Sequence, residues 1–152
     1  LKDMGASIEI GRDSVSVRKS KLRAIQADLS DCIDLLPTMA MLAAVAEGVS
    51  EFTGIKRGRL KESNRVLALG EGLERMGIKV SESRDKLTIS GSRPKGSVID
   101  SKDDHRIAMA FSVLGTFAGD TIIVNAQCVS KTFPQFWDMF ESIGGKVVIN
   151  GE

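Results

Sequence analysis

A chain of 152 residues, 42% hydrophobic and 27% charged, suits one domain with a real core, which excludes a disordered tail or a collagen-like fibre. Twenty-one basic residues against 20 acidic ones leave a formal charge of +1, so there is no global basic field for nucleic acid or an anionic membrane. One histidine, His105, and two distant cysteines, Cys32 and Cys128, exclude a multi-histidine metal site, a zinc site and a disulfide framework; they point to a reducing compartment, with a cytoplasmic location expected. Aromatics are only 5% and tyrosine is absent, which supplies few stacking platforms for single-stranded nucleic acid. The longest apolar run, Met39 to Ala46, is far short of the roughly 20 residues that cross a bilayer, and no secretory signal opens the chain.

Leu1 opens on what reads as the end of a helix, so the chain is expected to be a piece of a longer protein. Asp3 to Ile10 then runs helix end, glycine, strand, and Ser14 to Arg18 follows Gly11-Arg12-Asp13 as the second strand of a hairpin. Arg23 to Ala27 is a strand candidate. Pro37 starts a helix through about Glu47, ended by Gly48, whose segment Thr38 to Ala46 is apolar around its whole circumference and should be buried on all sides. After a strand at Glu51 to Ile55, a helix from about Lys61 to Met76 puts Val66, Leu69, Leu73 and Met76 on one inward stripe.

Arg75 to Val80 repeats the helix–glycine–strand pattern, and Lys86 to Ser90 completes a second hairpin. The order then recurs. Ser97 to Ile99 is a strand, and a helix from about Asp104 to Ala118 turns Ile107, Phe111, Leu114 and Phe117 inward. Thr121 to Val124 is a strand, a helix from about Phe133 to Ile143 carries Phe136, Phe140 and Ile143, and Ser142 to Ile149 gives a third helix–glycine–strand segment. The repeating unit is β-α-β-α-β-β. The chain reads as a single α/β (α+β) domain over 1–152, with buried helices and outer sheets: residues 1–22 end one unit, 23–90 form a full unit and 91–152 the last.

The polar residues that break the apolar pattern gather at four expected helix starts. Asp34 precedes Pro37; Arg59 to Arg65 opens the second helix; Asp103-Asp104-His105-Arg106 opens the third; Lys131 to Pro134 opens the fourth. Helix N-termini carry free N–H groups and partial positive charge, so cations there oppose the dipole. Lys61, Arg65, Arg106 and Lys131 all break that rule, which points to a site for a multiply anionic ligand. Taken singly, each has a plainer reading: Lys61 and Arg65 as a solvated pair, Asp34 and Asp104 as caps, His105 as structural, Lys131 as a loop lysine.

Leu60-Lys-Glu-Ser-Asn-Arg65, Asp103-Asp-His-Arg-Ile-Ala-Met109 and Lys131-Thr-Phe-Pro134 stand in the order and spacing of the EPSP synthase family, which the chain resembles almost end to end. Asp34-Leu-Leu-Pro-Thr38 is similar to another segment of that family, with Ile33 where proline is frequent. The resemblance implies two domains of three β-α-β-α-β-β units each, this chain being the later part of the C-terminal one and the N-terminal domain lying outside it. It implies transfer of the enolpyruvyl group of phosphoenolpyruvate to the 5-hydroxyl of shikimate 3-phosphate with release of phosphate, in a monomer, with no metal and no organic cofactor.

By the same resemblance Asp34 takes the hydroxyl proton and contacts the shikimate ring, Glu62 serves proton transfer at the enol carbon, and Lys61 contacts shikimate 3-phosphate. Arg65, Arg106 and Lys131 hold phosphoenolpyruvate with His105 beside them, and Lys131 also counts among the catalytic groups. One departure is Asn64, where the family usually has aspartate; it removes a charge beside Arg65. Two alternatives stay open. A related transferase acting on UDP-N-acetylglucosamine shares the fold, though LKESNR and DDHRIAM argue against it; a non-catalytic module of the same fold would keep only an anion pocket.

Overall fold

The computed structural model describes residues 1–149, and within them no helix is long and apolar enough to cross a membrane. A hairpin comes first, β1 (Ser7–Ile10) antiparallel to β2 (Val15–Arg18), both strands largely exposed. The full unit follows as β3 (Gln26–Asp28), α1 (Leu36–Val45), β4 (Val49–Thr53), α2 (Arg65–Arg75), β5 (Lys79–Glu82) and β6 (Lys86–Ser90). Its strands make one sheet in the order β3-β4-β6-β5, with β3 and β4 parallel and the β5–β6 hairpin antiparallel. The second unit repeats the start: β7 (Val98–Asp100) and β8 (Ile122–Val124) pair in parallel around α3 (His105–Ala118), and α4 (Phe136–Ser142) follows. The expected repeat is present, but residues 146–149 form no strand, so the third helix–glycine–strand segment stops at its glycine.

Alternation explains the layering. Phe52, Leu87 and Ile89 turn inward from β4 and β6, while their neighbours face solvent or are half-buried. Over that inner face lies α1, with Leu36, Ala40, Met41, Ala43 and Ala44 buried, and it also contacts α2 and α3. Thr38 is its one exposed residue, as an all-apolar surface requires. The main core joins Val66, Leu69, Leu73 and Met76 to Ile107, Phe111 and Leu114; a smaller cluster gathers Ala108, Cys128, Val129, Phe136 and Phe140. Helices therefore lie on the inner side of the sheet, as the sequence implies.

Several expectations fail at element ends. Helix α1 stops at Val45, short of Glu47, because Glu47 is drawn into strand-type bonds with Leu22 and Ala24. Phe117 and Ile143 are exposed, at 63% and 79%. Ile143 lines an open apolar groove between α3 and α4, together with Val113, Phe133, Met139 and Phe140 among others.

Candidate active site

The structure shifts two of the charged helix starts. Helix α2 begins at Arg65, because Asn64 caps it by accepting the Leu67 N–H at 3.2 Å. Lys61 and Glu62 consequently precede the helix, Lys61 in extended conformation after a 3-10 helix at Lys56–Leu60, and Lys61 does not share a helical face with Arg65. Lys131 ends another 3-10 helix, Ala126–Lys131, and α4 starts only at Phe136, beyond Pro134, which restricts the residue before it. Arg65, as the first residue of α2, and His105 and Arg106, behind their cap Asp104, do stand in helical first turns as expected. Asp34 lies in a 3-10 turn, Ile33–Leu35, that feeds α1.

These separate segments nevertheless converge. Arg65, 1% exposed, donates from Nε to Asp104 Oδ2 at 2.8 Å, from Nη1 to Asp34 Oδ1 at 2.7 Å, and from Nη2 to Glu62 Oε2 at 2.6 Å and Asp104 Oδ1 at 3.3 Å. Lys61 Nζ reaches Asp34 Oδ1 at 3.1 Å, and Arg106 Nη2 lies 3.8 Å from Asp34 Oδ2. Asp34 is thus the meeting point of α1, the turn before α2, α2 itself and α3. Lys131 joins through the loop: its Nζ donates to the carbonyl of Asp103 at 2.7 Å and to its carboxylate at 2.5 Å. That contact holds a turn in which Lys102 and Asp103 both adopt left-handed backbone, φ 54° and 56°, at a cost of about 1–2 kcal/mol per residue.

Charge sets the protonation states. Hydrogen bonding by Lys61 holds the Asp34 carboxyl below its ordinary pKa, aided by the charges of Arg106, Lys61 and Arg65 against a burial penalty. For Asp104 burial pushes upward, but the hydrogen bonds and charge of Arg65, with the Arg106 N–H and Ser63, outweigh it and lower the pKa. The carboxylates near Arg65 likewise overcome its desolvation and raise its pKa. The hydrogen bond that Lys131 donates to the Asp103 carboxylate raises the lysine's pKa. Asp34 and Asp104 are therefore ionised at neutral pH, and Arg65 and Lys131 charged.

His105 stands apart. It is 4% exposed, and its Nδ1 finds no hydrogen-bond partner among the described residues. Asn64 turns to its cap, and Arg65 is held by three other carboxylates, so the missing charge at 64 leaves Arg65 fixed. Sequence reasoning missed two partners: Asp104 as the buried counter-ion of Arg65, and Asp103 as the exposed counter-ion of Lys131. The signal available was two adjacent acids ahead of cations, which a capping role explains only once.

The enolpyruvyl transferase NikO from Streptomyces tendae has the same fold, with a TM-score of 0.76 at 21% identity over 95% of this chain and 34% of that chain. The EPSP synthase (3-phosphoshikimate 1-carboxyvinyltransferase) family model matches residues 1–140, and the chain belongs to that family. A 3-phosphoshikimate 1-carboxyvinyltransferase of Dehalococcoides mccartyi is 53% identical over 148 residues, covering 97% of this chain and 35% of the relative. One from Clostridium novyi is 40% identical over 147 residues, covering 95% and 34%. The EPSP synthase structure from Acinetobacter baumannii is similar at 30% identity and a TM-score of 0.90, covering 99% of this chain and 39% of that chain. The chain thus spans about 35% of the length of the curated relatives it matches.

Proposed function

We propose that this chain is the later part of the C-terminal domain of a two-domain enzyme that moves the enolpyruvyl group of phosphoenolpyruvate onto the 5-hydroxyl of shikimate 3-phosphate. The observation that carries the reading is the convergence on Asp34 of Lys61, Arg65 and Arg106, drawn from segments far apart in sequence. Asp34, ionised and only half-buried, is the base for the 5-hydroxyl and contacts the shikimate ring, and Lys61 binds the same substrate. The hydroxyl oxygen bonds to the enol carbon while the methylene carbon receives a proton, with Glu62 placed for that transfer. Phosphate then leaves and the methyl carbon gives up a proton, restoring the enol ether.

Arg106 and Lys131, both with exposed side chains, bind the carboxylate and phosphate of phosphoenolpyruvate, with Lys131 also able to carry a proton; His105 lies beside them. Arg65 completes this cradle through the one Nη1 hydrogen that its four bonds to Asp34, Glu62 and Asp104 leave over, or by releasing Asp34 or Glu62. The enzyme is read as a monomer of the shikimate pathway working in the cytoplasm, where its two free cysteines fit a reducing environment, and the N-terminal domain supplies the rest of both substrate sites.

The test is phosphate release by the complete enzyme, rebuilt where necessary by placing this chain in the matching segment of the Dehalococcoides mccartyi relative. Release is expected only with both substrates present, and Asp34→Ala should lower turnover at least about a hundredfold. Release that ignores shikimate 3-phosphate, or an unaffected Asp34→Ala, defeats the proposal.

A further inference from the structure

We propose that Asp104 is a positioning residue that fixes Arg65 and Arg106 relative to each other and so decides which edge of Arg65 faces the anion cradle. Its two oxygens carry four bonds. Oδ1 accepts the backbone N–H of Arg106 at 3.0 Å and Arg65 Nη2 at 3.3 Å; Oδ2 accepts Arg65 Nε at 2.8 Å and the Ser63 hydroxyl at 3.0 Å. Arg65 is the first residue of α2 and Arg106 lies in the first turn of α3, so one carboxylate joins two helix N-termini. Asp104 is fully buried and Arg65 is 1% exposed, which leaves the pair unscreened by water.

Capping alone does not demand this residue. An asparagine or serine would accept the Arg106 N–H about as well as aspartate. Neither can offer two anionic oxygens to the Nε–Nη2 edge of a guanidinium, the geometry that makes such pairs orientationally specific. With that edge taken, only Nη1 and the remaining Nη2 proton point to the site, where Asp34 and Glu62 stand. Asp104 touches neither reactant in this account; it acts through Arg65.

The inference rests on the function proposed above, and its test uses the complete enzyme with Asp104→Asn and Asp104→Ser, both of which keep a cap. Each variant is expected to raise the KM for phosphoenolpyruvate about tenfold or more, with the KM for shikimate 3-phosphate changed less than about twofold. A folded variant with an unchanged phosphoenolpyruvate KM, or an equal rise in both values, overturns it. A second readout needs no activity. In arginine-labelled protein the Arg65 Nε–H should exchange slowly in the wild type and rapidly in Asp104→Ser, while the Arg106 amide keeps its capped shift. Rapid exchange in the wild type, or slow exchange in the variant, also overturns it. Absence of shikimate 3-phosphate-dependent release in the wild type would instead count against the reaction, leaving the exchange measurement to decide Asp104.

Discussion

Asp34 and Asp104 share Arg65 from opposite surroundings, one half-exposed and bonded also to Lys61, the other buried and bonded also to a helix end. Both are held below the ordinary carboxylate pKa of 3.8, by Lys61 at Asp34 and, against burial, by Arg65 at Asp104. A depressed folded pKa means the unfolded chain binds more protons on acidification, so the stabilisation is fully present above the unfolded value and vanishes as pH falls through the folded one. The urea midpoint should therefore hold from neutrality to about pH 5 and fall below about pH 4. Asp104→Asn should lower stability at pH 7 by roughly 1–3 kcal/mol and flatten the acid limb. Midpoints measured against pH for both proteins check this; parallel curves would contradict it. The residue types at this site were legible in the sequence, since Arg65 and Arg106 stand at helix entrances where cations oppose the dipole, with Lys61 in the segment just ahead of α2. Their satisfaction by the chain's own carboxylates was not, because nothing local places Asp34 and Asp104 on either side of Arg65.

Element by element, periodicity carried the repeat: an all-apolar segment became the central α1, and the stripe of Val66, Leu69, Leu73 and Met76 is buried throughout. Ends were less legible, since they depend on competition. Asn64 wins the start of α2 by capping it, and strand bonds at Glu47 shorten α1. Phe117 and Ile143 continue apolar stripes on helices that leave one side open, so pattern alone predicts their burial wrongly. Close helix packing was hidden too. Gly70 and Gly72 both lie in α2, but a Cβ at Gly72 would enter the Phe111 ring of α3, whereas at Gly70 the nearest atom is Glu82 Oε2 at 4.0 Å. Gly70→Ala should stabilise by about 0.5–1 kcal/mol through helix propensity. Gly72→Ala should destabilise by about 1–3 kcal/mol despite the same propensity gain, because the ring must move. Urea unfolding of the two variants decides it, and equal effects would refute the close α2–α3 contact.

Across the whole molecule, the site is electrically balanced. Lys61, Arg65, Arg106 and Lys131 are matched by Asp34, Glu62, Asp103 and Asp104, each cation already within 4 Å of a carboxylate. An anionic ligand entering such a cluster must compete with carboxylates tethered at the same positions, so the chain's own charges provide little net attraction. Attraction must come from further cations, and the chain spans only about 35% of the length of its relatives. The 152-residue chain by itself should therefore bind phosphoenolpyruvate no more tightly than about 1 mM, equivalent to about 4 kcal/mol, and more weakly as salt rises. An NMR titration is expected to give small, unsaturated shifts at the amides of Arg65, Arg106 and Lys131. Asp103→Asn, which removes the exposed carboxylate beside Lys131 and leaves the bond to the backbone carbonyl, should strengthen these shifts by only a few-fold, since such pairs contribute at most about 1 kcal/mol. Saturable micromolar binding by the isolated chain would mean that its own residues form a complete anion site, and the balance of charge argued here would be the wrong description.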